Sequence, residues 1–161
     1  MKKLTFLSVV STLAIAGCTA DSSMPGSDTA RSEVCRATSE QEISALFDRW
    51  NRSLQTGDPH MVVANYAERS VLLATVSNKP RVTAAEKEDY FHHFLENKPV
   101  GKIDWRMIEI DCNTAIDAGL YTFTFGKTGA QVKARYTYTY KWNGQQWLIT
   151  SHHSSAMPEK N

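Results

Sequence analysis

The chain has 161 residues, with 18 Lys plus Arg against 17 Asp plus Glu and a formal net charge of +1. That balance supplies no general field to hold nucleic acid or an anionic membrane surface, so no nucleic-acid partner is expected and any affinity has to come from a local site. Once the N-terminal region is set aside, the length suits one domain with one core.

Lys2 and Lys3 precede an apolar run from Leu4 to Ala16, which closes in Ile15-Ala16-Gly17-Cys18. The run is too short to cross a bilayer as a stable helix, and small residues end it. It resembles a bacterial lipoprotein signal peptide over residues 1–17. The resemblance implies that Cys18 is lipidated and becomes the mature N-terminus, leaving the lipid anchor as the only membrane contact. Thr19, rather than Asp, after the cysteine implies in the same resemblance a place in the bacterial envelope at the outer membrane, facing the periplasm. An ordinary cleaved signal with a chance cysteine is the alternative. Residues 18–35 then form a linker: Thr19 to Ser32 is rich in Ser, Asp and Thr, contains Pro25 and Gly26 and has almost no large apolar side chains. Such a stretch cannot bury a core and reads as a flexible spacer of roughly 20 Å mean reach. With Cys18 lipidated, Cys35 and Cys112 are the remaining thiols, and an even pair in an oxidising compartment suggests a disulfide. It would close a loop of nearly 80 residues, for which loop entropy allows up to about 4 kcal/mol. Two buried free thiols are the alternative.

The domain is expected over residues 36–159. Ser39 and Glu42 have capping-box spacing ahead of Ile43, Leu46, Phe47, Trp50 and Leu54, which recur at helical period until Gly57. Asp58-Pro59 starts a short second helix through Met61, Val62 and Tyr66. Ser70 to Val76 reads as a strand. Thr83 and Glu86 repeat the capping box and open a third helix, with Tyr90, Phe91, Phe94 and Leu95 on its buried side until Pro99. Four strands follow at Lys102–Cys112, Ala115–Phe125, Gln131–Trp142 and Trp147–Ser155, joined by turns too short for anything but antiparallel neighbours. The apolar phase of Ile103 and Trp105 slips near Met107 and Ile108, which predicts a bulge that bends the sheet. Helices first and an antiparallel sheet afterwards make an α+β fold, in which three helices pack on a curved sheet to form a cone.

Two stretches, Tyr90-Phe91-His92-His93-Phe94-Leu95-Glu96-Asn97 and Trp147 to Pro158, together with the element order, resemble the nuclear transport factor 2-like superfamily. The nearer likeness is to the association domain of calcium/calmodulin-dependent protein kinase II and its free-standing bacterial relatives, among them SgcJ/EcaC and SnoaL-like proteins, over Glu40 to Glu159. The resemblance implies a cone with an interior pocket and self-association as a homodimer or larger oligomer. The cone arginines of the kinase domain, which can grip a carboxylate, fall near Arg135 here, with Thr122 and His93 standing where two others are expected. No kinase or dinucleotide-binding motif occurs, no cofactor is implied, and no HxxxH or CxxC spacing suggests a metal.

Parity along the last strand puts Trp147, Ile149, Ser151, His153 and Ser155 on one face. If Trp147 and Ile149 pack under the helices, His153 faces the pocket as a ligand contact or a catalytic acid or base; a structural histidine is the alternative. Arg135 on an interior strand needs a carboxylate or a bound anion, or it pairs with a surface acid. Trp50 and Tyr66 shape the wall, and His93 completes the candidate ligand-binding set. The orientations of Asp104, Glu109 and Asp111 stay open. Tyr136, Tyr138, Tyr140, Trp142 and Phe123 exceed what one helical layer covers, which suggests that the opposite face is buried in a second subunit; a mixed surface is the alternative. These readings converge on an oligomerising lipoprotein whose pocket binds a small anionic or aromatic molecule. A SnoaL-like cyclase, isomerase or oxidoreductase acting on a small organic substrate is one alternative, and a purely assembling module another.

Overall fold

A computed structural model describes residues 33–158. The signal peptide, Cys18 and most of the linker lie outside the described residues. The elements run α1 (Glu40–Leu54), α2 (Pro59–Val63), β1 (Tyr66–Leu73), α3 (Ala84–Leu95), β2 (Pro99–Ile110), β3 (Thr114–Phe125), β4 (Gln131–Trp142) and β5 (Trp147–Ala156). The sheet has the order β1-β5-β4-β3-β2. Its strands are antiparallel except that β1 joins β5 in parallel. This is the α+β arrangement expected, with three helices on one sheet.

Local chemistry sets the ends. Ser39 caps α1 by accepting from the Glu42 backbone N–H, but Glu42 does not complete the box, because its carboxylate accepts instead from Thr38 and Arg36. Thr83 and Glu86 form the full reciprocal box at α3. Backbone N–H groups of Thr83 and Val82 hold the Glu86 carboxyl down at about 2. Tyr66 opens β1 rather than closing α2, since the Asn65 amide donates to the carbonyls of Met61 and Val62 and ends the helix. Pro99 begins β2, an edge strand, where a missing N–H costs no ladder bond.

Helix α1 lies in the concave face with Ile43, Phe47, Trp50 and Leu54 buried. Asn51 fixes it to the sheet by exchanging two 2.8 Å hydrogen bonds with the Gly101 backbone. The Cys35–Cys112 disulfide is present, spanning 77 residues of sequence. Beside it the Asn113 amide donates to Glu33 and to the Val34 carbonyl, so the incoming chain is fastened to the β2–β3 turn.

Two bulges bend the sheet. The one expected near Met107 sits slightly earlier, between Ile103 and Trp105. It drives the Trp105 carbonyl onto β3 at Gly119, where any Cβ would overlap that oxygen. The second bulge interrupts β5: Thr139 faces Ser151 while Tyr140 faces Ile149, which leaves Thr150 as the extra residue, its hydroxyl donating to the Thr139 carbonyl at 3.1 Å.

The tyrosine surplus is also corrected. Tyr136, Tyr138 and Tyr140 share one parity, all point inward and all are buried within the single chain, while Arg135, Thr137 and Thr139 occupy the outer face. Exposed apolar groups on the outer face include Trp105, 58% exposed, Met107, 49% exposed, and Val100, all on β2.

Gly119→Ala is expected to lower unfolding free energy by about 3 kcal/mol, the upper end for forced overpacking, in urea titrations of the full chain. A loss below about 0.5 kcal/mol would mean that the strand pair relaxes without cost.

Candidate functional site

A cavity of about 390 Å³ opens between α3, the segment after β1 and the inner faces of β3, β4 and β5. Its walls are aromatic: Trp50 from α1, Tyr90, Phe91 and Phe94 from α3, Tyr121 and Phe123 from β3. Ala74 and Ala134 leave the space that larger side chains would fill. The polar groups at its surface include His152, Ser154, Tyr121 and Thr75, and no Arg, Lys, Asp or Glu lines it.

His152 is the buried imidazole of this wall, 4% exposed. Its ring stacks on Tyr138 with centroids 4.2 Å apart and meets Trp50 edge-on at 5.4 Å. The Tyr66 hydroxyl lies 2.8 Å from Nδ1, and Nε2 has no partner among the described residues. Burial, followed by the neighbouring His153, pushes the imidazole down to about 3, so the ring is neutral at physiological pH. Burial drives the Tyr66 hydroxyl well up, with the Trp50 indole N–H acting against it, although that N–H falls short of normal hydrogen-bond geometry. Tyr66 and Nδ1 share one hydrogen, and which of them donates follows the imidazole tautomer. Two residues along, Tyr121 donates to Ser154 at 2.5 Å, and Ser154 shares a second, short hydrogen bond with Thr75.

A separate polar cluster is built around a buried ion pair. Asp117 is fully buried, accepts from the Tyr136 hydroxyl at 2.7 Å and pairs with Arg106 at 3.0 Å. Burial raises the Asp117 carboxyl pKa against the pull of Tyr136 and Arg106. Neither Arg106 nor Asp117 borders the cavity. Lys87 is likewise buried and occupied, its Nζ donating to the carbonyls of Ser70 and Val82.

The family-model match covers residues 39–158, as the calcium/calmodulin dependent protein kinase II association domain. A candidate association domain of that kind from Xanthomonas campestris has a TM-score of 0.73 and 48% identity, over 77% of this chain and 91% of that one. The chain belongs to the calcium/calmodulin dependent protein kinase II association-domain family. More distant structural neighbours share the fold alone. They include an NTF2-like protein of unknown function from Pseudomonas putida (TM-score 0.65, 19% identity, 76% and 89% of the two chains). Another is an NTF2-like protein with a cystatin-like fold from Novosphingobium aromaticivorans (0.63, 12%, 74% and 82%). No curated protein matches.

Set on this association domain, the expected site residues separate. Trp50 lines the cavity, whereas Tyr66 does not border it and meets its wall residues His152 and Phe91 from behind. His153 is exposed on the outer face opposite Thr137, because the Thr150 bulge reverses the parity that Trp147 and Ile149 establish. Arg135 is exposed as well, its Nε donating to Ser155 at 3.2 Å, since it alternates with the inward tyrosines of β4. His93 is exposed on α3 with Nδ1 3.5 Å from Glu96, and Thr122 faces outward, donating to Asp104. Glu109 and Asp111 are exposed. The interior guanidinium is Arg106, ion-paired with Asp117. His152 and Ser154 were missed because after Ile149 the run Thr-Ser-His-His-Ser-Ser contains no apolar side chain to report its phase, and Arg106 because the bulge between Ile103 and Trp105 reverses the parity of β2; Asp117 shares the inward parity of Tyr121 and Phe123, a signal the sequence did carry.

A histidine neutral to about pH 3 when folded, but protonated near 6.5 when unfolded, makes the unfolded chain bind more protons between those values. Stability therefore falls by about 1.4 kcal/mol per pH unit below 6.5 from this residue and is flat above it. Asp117 opposes this at the acid end, because its raised pKa lets the folded state take its proton first. Urea midpoints of the full chain are expected to drop from pH 6.5 to 4.5, with His152→Phe removing most of the slope. Equal slopes in both proteins would place the acid sensitivity elsewhere.

Proposed function

We propose that this association-domain protein is an envelope-tethered, self-associating binding module that holds a small, uncharged and largely apolar molecule inside its cone. The observation that carries the reading is the cavity itself: about 390 Å³, within the range of small-molecule sites, walled by aromatics and bordered by no charged side chain. An anionic ligand was expected on the strength of Arg135. With Arg135 outside and Arg106 committed to Asp117, an anion in the cavity would leave water without a counter-charge, at a cost of several kcal/mol. The enzyme alternative rested on His153 as acid or base, and His152, its inward counterpart, is held neutral and is a weak base.

Membership of an association-domain family supports self-association. The surface that suits it is the outer face of β2, where Trp105 and Met107 expose apolar area beside the half-buried Leu120 of β3. The lipoprotein-like leader supports attachment through Cys18, with the linker holding the domain off the membrane.

N-phenyl-1-naphthylamine, a neutral dye that brightens in apolar sites, is expected to bind the full chain, and Ala134→Phe is expected to weaken it at least tenfold while leaving the circular dichroism unchanged. Wild-type affinity in a folded Ala134→Phe protein would remove the cavity as the site. For assembly, sedimentation at micromolar concentration is expected to give a dimer or larger species, which Trp105→Asp dissociates. A wild-type monomer would reject self-association, and an intact Trp105→Asp oligomer would move the interface off β2.

A further inference from the structure

Beside α1, and sharing no lining residue with the aromatic cavity, lies a groove of about 350 Å³. Arg49, Arg52 and Thr56 form one wall, Met61 and Ala64 the other, and Gln146 closes it from the turn between β4 and β5. Arg49 is held in place. Its Nε donates to Asn65 Oδ1 at 2.9 Å and one Nη to the Trp147 carbonyl at 2.7 Å. Asn65 is buried and oriented in turn by donating to the Met61 and Val62 carbonyls. Both acceptors are neutral, so the guanidinium is positioned without a counter-charge, and only two of its N–H groups are used among the described residues. Arg52 follows three residues on, where side chains of a helix are neighbours. Among the described residues neither arginine forms an ion pair. Burial lowers the Arg49 pKa, Tyr140 opposes this, and the charge of Arg52 adds to the lowering. Both guanidiniums nevertheless stay charged at physiological pH. No Asp or Glu lines the groove. The Ser53 and Thr56 hydroxyls donate back to carbonyls of α1, which leaves the guanidinium N–H groups and the Gln146 amide as the donors on offer. Two adjacent cations, one of them fixed, lack an anion.

We propose that this groove binds a phosphomonoester, with the phosphate received by Arg49 and Arg52 and the organic part lying toward Met61 and Ala64. Charge favours a dianion, since two cations with no carboxylate between them balance the roughly two negative charges that a phosphomonoester carries near neutral pH. Geometry favours a compact group, because two guanidinium forks three residues apart can converge on the oxygens of one phosphate. Arg49 loses little freedom on binding, its side chain being ordered already by Asn65 and Trp147. The phosphate can arrive on a soluble ester or on a lipid headgroup, and its recognition is the same in both. The site is independent of the aromatic cavity and of the reading given to it.

Glycerol 3-phosphate, titrated calorimetrically into the full chain at low ionic strength, is expected to bind at least about tenfold more tightly than succinate or glycerol. Arg52→Gln, at an exposed side chain, is expected to weaken glycerol 3-phosphate about tenfold while leaving N-phenyl-1-naphthylamine binding and the urea midpoint unchanged. Arg52→Lys, which keeps the charge and loses the fork, is expected to fall between Arg52→Gln and the wild type. In proton–nitrogen correlation spectra of the wild-type protein, which need no variant, the Gln146 side-chain amide and the Arg49 Nε–H are expected to shift on adding glycerol 3-phosphate. Dihexanoyl phosphatidic acid separates the two sources: tighter binding than glycerol 3-phosphate assigns a lipid headgroup, and equal or weaker binding assigns a soluble ester. Absence of binding by both phosphates, succinate at parity with glycerol 3-phosphate, or wild-type affinity in a folded Arg52→Gln protein overturns the proposal and leaves the cavity reading standing.

Discussion

Strand β5 carries one residue more than β4 can match, and the cavity depends on where that residue falls. Up to Ile149 the inward positions are odd-numbered; beyond Thr150 they are even. Thr150 stays tied to β4 through its hydroxyl, so the bulge is bonded and not frayed. On the other side of β5 the pairing with β1 is also irregular between Tyr66 and Val71, which lets the sheet bend on both sides of the same strand. The bend turns His152 and Ser154 toward Trp50 and Tyr121 and leaves His153 and Ser155 outside with Thr137 and Arg135. A β5 without the extra residue would present the opposite set, and the interior would have different chemistry on the same scaffold.

The interior treats polar groups in two ways. Toward β2 and β3, Arg106 pairs with the fully buried Asp117 carboxylate, which also accepts from Tyr136, and removing one of the two charged partners would leave a buried charge, at about 3–5 kcal/mol of destabilisation. Gly119 admits the bulged β2 carbonyl close to this cluster, opposite Arg106 in the ladder. Toward β5 the polar groups, His152, Ser154, Thr75 and Tyr121, are neutral. The first cluster is a neutralised pair of charges away from the cavity, whereas the second is uncharged and borders it.

The aromatic side chains explain why a space persists between these regions. Phe47 fills the centre against Trp50, Tyr121, Tyr136 and Tyr138. Phe91 and Phe94 come from α3 to meet Trp50 and Phe123 from the far side. Small residues at Ala74 and Ala134 stand where a fourth layer of rings would otherwise close the gap. Large rigid rings cannot collapse into such a gap as aliphatic chains can, so the space is held open by their shape.

Helix positions, strand order along the chain and the α+β class were legible because each rests on a local period or cap: Ser39 and Thr83 before their helices, Pro59 at the start of α2, alternation in β3 and β4. The Cys35–Cys112 pairing followed from there being two candidate partners. Trp50 was legible as a wall residue for the same reason, since helical spacing places it with Phe47 and Leu54. Which histidine faces inward was not legible, because a polar run carries no phase and a bulge is decided by how neighbouring strands bend over the helices. The sequence by itself determined the elements and their amphipathic faces. Only the tertiary structure decided that the buried cation is Arg106, that Arg135 and His153 stand in solvent and that His152 meets the cavity, because those outcomes depend on register between strands far apart in the chain.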